Sequence, residues 1–204
     1  MGSFFSGGAV SARKIHSSDS TLTMRIIAGL AKGHSLKVPR EVARPTTDRV
    51  RESVFGILFA VLEDARVLDL FAGSGALGIE ALSRGAASCT FVEQNRGAVK
   101  VIEENLKKTG LRNGKVVCRE VGSFLKTEKR EYDLIFADPP YADGLTDAAR
   151  DLAALEGWAQ WLSEDGYLVL EKEAMGDLPE PGGLKLLQQR DYGRSRIVIY
   201  QRAS

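Results

Sequence analysis

Cysteine and histidine are nearly missing from this chain, with two of each among 204 residues. Cys89 and Cys118 stand 29 positions apart, form no CxxC pair, and both fall in apolar runs that read as strands. That spacing argues against a disulfide framework and against a zinc site, so no metal is expected and a reducing cytoplasm fits best. The two histidines, His16 and His34, are both N-terminal, which leaves no imidazole for hydride-transfer chemistry at a strand end. An excess of one charge sign is missing too: 28 Lys and Arg face 27 Asp and Glu, a net charge of +1. Any case for a nucleic-acid partner must therefore be local. No apolar run approaches the ~20 residues that span a bilayer, so no membrane partner is expected. What remains, 44% apolar and 27% charged residues, matches a soluble globular chain and excludes wholesale disorder. At roughly 150 residues per domain, the length allows one domain with a small appendage.

Residues 1–23 hold three Gly and six Ser without steady periodicity and read as a disordered leader or tag. Residues 24–47 read as an N-terminal β-hairpin appendage, with short strand-like runs around Ile26 and Leu36 flanking Gly29 and Gly33. The domain proper is placed at 48–204. Thr47-Asp48 makes a helix start, and Val50, Val54, Ile57, Leu58 and Val61 recur at helical spacing behind it. From Arg66 onward, strands and helices alternate: strands at 66–70, 88–92, 115–118, 132–137 and 167–171, helices at 75–84, 95–108 and 145–162. Such alternation means an α/β fold on a mostly parallel sheet. Two last runs, 184–189 and 196–200, are too close for a parallel crossover and predict a terminal antiparallel hairpin.

Between the first strand and its helix lies Asp69-Leu70-Phe71-Ala72-Gly73-Ser74-Gly75-Ala76-Leu77-Gly78, a GxGxxG loop. Glycines there let a backbone approach a ligand closely, whether a dinucleotide or another nucleoside-bearing cofactor, or serve only a tight turn. Glu93 ends the second strand, 20 residues past Gly73, and suits a ribose diol. Asp69 separates the options: an acid repels a pyrophosphate but attracts the ammonium of S-adenosylmethionine. Glu120, after the third strand, falls where an adenine edge would lie, or is an acid favoured at a helix N-terminus.

The buried run 132–137 leads straight into Asp138-Pro139-Pro140-Tyr141. Two prolines remove two N–H donors and fix φ, leaving a stiff turn that offers acceptors. A base amino group is a poor nucleophile because its lone pair is delocalised into the ring. Asp138 and the Pro139 carbonyl can draw its hydrogens out of plane, while Tyr141 stacks the flipped base.

On these residues the chain resembles the class I, Rossmann-like S-adenosylmethionine-dependent methyltransferases with an Asp-Pro-Pro-aromatic motif, and more closely the bacterial 16S rRNA guanine-N2 methyltransferase D family. The resemblance runs through MRIIAGLAKGHSLKVP, RPTTDRVRESVFGIL, VLDLFAGSGALGIEALSRGA, VEQN, DLIFADPPY and YGRSRIVIY. It implies a seven-stranded sheet with an antiparallel last strand, S-adenosylmethionine as methyl donor, and a hairpin engaging 16S rRNA in an assembling or assembled small subunit. Asp69, Phe71, Gly73, Ser74, Gly75, Glu93, Gln94, Glu120 and Val121 form the candidate cofactor set. Glu120 departs from the Asp or Asn common in the wider superfamily. Asp138 to Tyr141 form the catalytic set, and a cytoplasmic monomer is expected. Residues 24–51 carry seven basic residues against two acids, and Arg25, Lys32, Lys37, Arg44 and Arg49 are the candidate RNA contacts. A solvated hairpin, or a lid at 44–49, would show the same pattern. The Pro-Pro turn alone also admits adenine N6 or a protein glutamine as acceptor, and the glycine loop alone a nicotinamide-dependent oxidoreductase.

Overall fold

The computed structural model describes residues 23–39, 47–140, 152, 157–178 and 180–203. Most of the predicted leader, Arg44, Tyr141 and most of the predicted 145–162 helix lie outside the described residues. Strands β1 (Thr23–Arg25) and β2 (Ser35–Lys37) pair antiparallel as the expected hairpin, β1 beginning on the last residue assigned to the leader. Helix α1 (Asp48–Ile57) starts where Thr47 accepts a hydrogen bond from the Val50 N–H, the N-cap that Thr-Asp implied. Then come β3 (Arg66–Leu70), α2 (Ala76–Ser83), β4 (Ser88–Glu93), α3 (Arg96–Thr109), β5 (Gly114–Cys118), α4 (Val121–Leu125) and β6 (Tyr132–Ala137). Four helical residues, α5 (Trp158–Trp161), precede β7 (Leu162–Glu173), β8 (Leu184–Tyr192) and β9 (Ser195–Arg202).

The seven strands order as β5-β4-β3-β6-β7-β9-β8, with only β9 running against the rest. Both faces of β3 and β6 are buried, and two apolar clusters sandwich them, as an all-parallel centre requires. The chain runs outward from β3 through β4 to β5, then returns to the other side of β3 as β6. That reversal between β3 and β6 is where loops diverge above the strand ends. The helix predicted to Leu162 is corrected at its end, since Leu162 opens a strand and pairs with Tyr132. The polar run Ser163-Glu164-Asp165-Gly166 hides this start, because it sits at a register shift between Tyr132 and Leu134.

The hairpin is bound to the domain by buried polar groups. Met24, Ile26, Leu36 and Val38 share one apolar cluster with Val54, Ile79 and Phe91. The Ile27 and Ala28 N–H groups donate to the two carboxylate oxygens of Glu80 at 2.8 and 3.0 Å. Ser83 donates to the Ala28 carbonyl and accepts from the Ala31 N–H. Gly29 packs so closely that a Cβ there would lie 1.7 Å from the Ser83 carbonyl oxygen. Arg51, fully buried, donates to the Arg25 carbonyl at 2.6 Å and lies 3.7 Å from the equally buried Glu80. Asn105 completes the attachment, exchanging hydrogen bonds with both backbone groups of Lys37.

Removing one partner of a buried ion pair strands the other charge, at a cost of about 3–5 kcal/mol. Glu80→Ala is therefore expected to lower the unfolding free energy by about that amount in urea titrations. Glu104→Ala, which breaks only the half-exposed pair with Lys37, should cost less than about 1 kcal/mol. Equal effects of the two substitutions would contradict this account.

Candidate active site

The end of β3 turns sharply. Phe71 takes φ +58°, a left-handed conformation rare for a side-chain-bearing residue, and the Ala72 N–H donates to the Val92 carbonyl. The Gly73 N–H donates to Glu93 Oε2 at 2.9 Å, and Glu93 Oε1 accepts from the Asn95 N–H at 2.8 Å. Glu93 thus ties the loop after β3 to the loop after β4. Gly75, at φ +76°, caps α2. Gly78 is needed for packing, since a Cβ there would lie 2.3 Å from the Phe91 ring and 2.5 Å from Cys89 Sγ.

Asp69 is 2% exposed and accepts from the Gly78 N–H at 2.9 Å. Burial pushes its carboxyl up to about 7, with the Gly78 bond opposing and the charge of Glu93 adding. The sequence reading assumed a fixed charge; the fold places this acid near its midpoint at neutral pH. Glu120 caps α4, accepting from the Gly122 and Ser123 N–H groups at 2.6 Å each. Hydrogen bonds from Ser123, and then Gly122, hold its carboxyl below the usual range. The helix-start alternative for Glu120 therefore describes its visible bonds.

These groups open into one cleft of about 1240 Å³ above the strand ends. Asp69, Phe71, Gly73, Ser74, Glu93, Gln94, Glu120 and Val121 line it, together with Asp138, Pro139 and Pro140. Gly75 is not among the lining residues. Ala137 pairs with Leu70, so Asp138 and Phe71 leave the sheet side by side. Of the basic candidates, Arg49 lines the cleft and Arg25 is exposed on β1. Lys37 is paired with Glu104 at 2.6 Å. Lys32 sits in the hairpin turn, which is held at the C-terminal end of α2, away from the glycine loop. The sequence reading missed the wall from Asp191 to Ser195 with Glu171 and Glu173. The available signal was the Gly193-Arg194 break between two strand patterns. Among the described residues no cluster of three or more His, Cys, Asp or Glu could hold a metal, and no helix is long and apolar enough to cross a membrane.

A parallel sheet with one antiparallel last strand, a glycine loop closing on a strand-end acid, and a Pro-Pro turn on the next strand define the class I methyltransferase architecture. The family model described as Conserved hypothetical protein 95 matches residues 24–201. Ribosomal RNA small subunit methyltransferase D of Escherichia coli (strain K12) is 39% identical over 181 residues, covering 88% of this chain and 90% of that protein. YlbH of Bacillus subtilis (strain 168) is 40% identical over 185 residues, 88% of this chain and 99% of its own. The solved structure of yhhF from Escherichia coli matches at TM-score 0.77 and 39% identity, covering 88% of this chain and 98% of that one. The chain belongs to this family, that of the ribosomal RNA small subunit methyltransferases D.

Because the Asp69 pKa is raised on folding, the folded state holds the proton more tightly than the unfolded chain. Its contribution to stability is full below the unfolded value near 4 and is lost as pH rises through about 7. Asp69→Asn, which keeps an acceptor for Gly78, should lack this loss. The stability difference between wild type and Asp69→Asn, measured by urea denaturation from pH 4 to 8, is expected to shift against the wild type as pH rises. A difference independent of pH would show that Asp69 titrates as an ordinary acid.

Proposed function

We propose that the chain transfers a methyl group from S-adenosylmethionine to the exocyclic N2 of a guanine in 16S rRNA, acting as a cytoplasmic monomer on the assembling or assembled small ribosomal subunit. One observation carries this reading: the glycine loop with its acids and the Asp138-Pro139-Pro140 turn open side by side into a single cleft. That cleft exceeds the ~300–1,000 Å³ usual for one small ligand, leaving room for a nucleoside cofactor and a base together.

The residues present fit the cofactor. Asp69 gives an acid for an ammonium group, and a bound cation would favour its ionised form. Glu93 lines the cleft with a carboxylate whose oxygens each take one backbone donor, and a carboxylate oxygen can accept more than one hydrogen bond. Glu93 can thus receive ribose hydroxyls while holding the loop. Glu120 and the Val121 backbone border the adenine end. When bound, S-adenosylmethionine supplies an electrophilic methyl group.

The chain's own residues prepare the nucleophile. The Asp138 carboxylate and the Pro139 carbonyl accept the two amino hydrogens, pulling the nitrogen lone pair out of the ring plane. Pro139 is buried and Asp138 partly so, which keeps these acceptors oriented and poorly hydrated. Tyr141 is assigned the stacking face. Guanine carries a ring N1–H beside its amino group, so a carboxylate can bond two donors, whereas adenine would present a lone pair there. Small-subunit rRNA, the substrate in the name of the Escherichia coli relative, fits Arg25 and Arg49 on the hairpin side of the cleft.

Asp138→Ala should bind S-adenosylmethionine as wild type does by calorimetry, yet lose about 10²–10⁴-fold in single-turnover rate. A near-wild-type rate would remove Asp138 from the chemistry. Small subunits from cells lacking the enzyme, treated with labelled cofactor and digested to nucleosides, should yield N2-methylguanosine by mass spectrometry. N6-methyladenosine as sole labelled product would overturn the guanine assignment and leave amino-methyl transfer standing.

A further inference from the structure

The β8–β9 turn carries a cation that the reaction outlined above does not use. Arg49 and Arg194 are the two basic side chains among the described residues lining the cleft, and neither forms an ion pair with a described residue. Of the arginines on β9, Arg196 pairs with Asp191 at 2.6 Å and Arg202 with Glu131 at 3.3 Å. The remaining charged lining is acidic, including Asp138, Glu171 and Glu173. Among the described lining residues, the two arginines are the groups that attract a polyanion.

We propose that Arg194, with Arg49 on the same cleft, holds the backbone phosphates flanking the nucleotide whose base reaches Asp138, and so makes this end of the cleft selective for nucleic acid. The inference rests on the rRNA reading above. Strand order supports the placement. β9 begins two strands from β6, about 10 Å at ~4.8 Å per strand, on the side of Asp138 away from the glycine loop. That distance is on the scale of one nucleotide. The turn is also held in place before any ligand arrives. The Ala174 N–H donates to the Arg194 carbonyl at 2.9 Å, and Arg196 closes on Asp191 through two hydrogen bonds. Tyr192 donates to Ser53 Oγ, as does Arg190 at 3.1 Å. Ser53 lies one helical turn beyond Arg49 on α1, so the same contacts set the separation of the two arginines. An exposed guanidinium on a fixed turn can grip a phosphate through paired N–H donors with little loss of side-chain freedom.

The test uses the full chain with small subunits and with the rRNA fragment they contain. Arg194→Ala should raise KM for RNA about tenfold, the scale of one charge-assisted hydrogen bond, with kcat within about twofold of wild type. Its RNA-binding salt slope should fall by about 0.7–0.9, the loss of one phosphate contact. The S-adenosylmethionine Kd and the melting temperature should not move. Arg194→Lys should restore most of the slope, and Arg112→Ala, an exposed site on the loop before β5, should leave it intact. Wild-type KM and slope in Arg194→Ala would overturn the proposal, as would a weakened cofactor Kd with an unchanged slope. A wild-type protein that binds and methylates no RNA would instead sink the rRNA reading, a failure visible before any variant is made.

Discussion

The buried carboxylate of Glu80 is the point from which the cleft is built. It sits on α2, the helix that leaves the glycine loop, and takes two N–H groups from the hairpin turn and one from Arg84. Arg51 faces it from α1, and the Arg51 Nε and Nη1 atoms have no hydrogen-bond acceptor among the described residues. The Arg51 Nη2 atom donates to Asp48 at 2.7 Å and to the Arg25 carbonyl, so these and the attraction to Glu80 together offset the desolvation of that guanidinium. Three segments distant in sequence, β1–β2, α1 and α2, are locked to one another by this cluster. Because α1 is fixed, Thr47 and Arg49 reach the cleft, and Ser53 reaches Tyr192 on the far hairpin. A change at Glu80 would therefore be felt at both ends of the active-site cleft without touching any group that lines it.

The sheet reversal between β3 and β6 divides the cleft lining in two. On one side, β3, β4 and β5 lead to the glycine loop, Glu93 and Glu120; on the other lie Asp138 after β6, Glu171 near the end of β7 and the Arg194 turn that opens β9. In-line transfer needs donor and acceptor to approach from opposite directions, and a reversal point supplies two diverging sets of loops at one gap. The hairpin and α1 form a third wall that carries Arg49.

Much of this was legible in the sequence, for reasons that differ by element. β3, β4 and β6 are short apolar runs that break into polar, Gly- or Pro-bearing loops, and their predicted bounds hold within one residue. The loop residues that line the cleft beside β3, β4 and β5 were legible because they lie in contiguous loops, where the chain itself enforces proximity. β7 was clipped because its first turn of sequence is polar around a register shift. Helix α4 entered the sequence reading only as the alternative of a helix start at Glu120, because five residues are too few to show a period. The Glu80 cluster was hidden because Glu, Arg and Asn at helical spacing read as solvated faces, and only tertiary packing turns them inward. Arg194 stands out in the sequence only as part of the run YGRSRIVIY, since its place beside the cleft depends on an antiparallel closure 55 residues beyond Pro139.

The acids of the cofactor half share a further property. Asp69 accepts from Gly78, Glu93 from Gly73 and Asn95, and Glu120 from Gly122 and Ser123. Each carboxylate orders the backbone that lines the cleft, and on the proposed reading its remaining lone pairs go to the ligand. Such a site is formed before binding, so little ordering is left to oppose association. The acceptor half obtains rigidity differently, from two prolines whose missing N–H groups need no partner and whose φ angles are fixed covalently. A base amino group must surrender two hydrogens to acceptors that do not yield. A turn stiffened by its own covalent rings provides that with two fewer backbone donors of its own to compete for the same lone pairs.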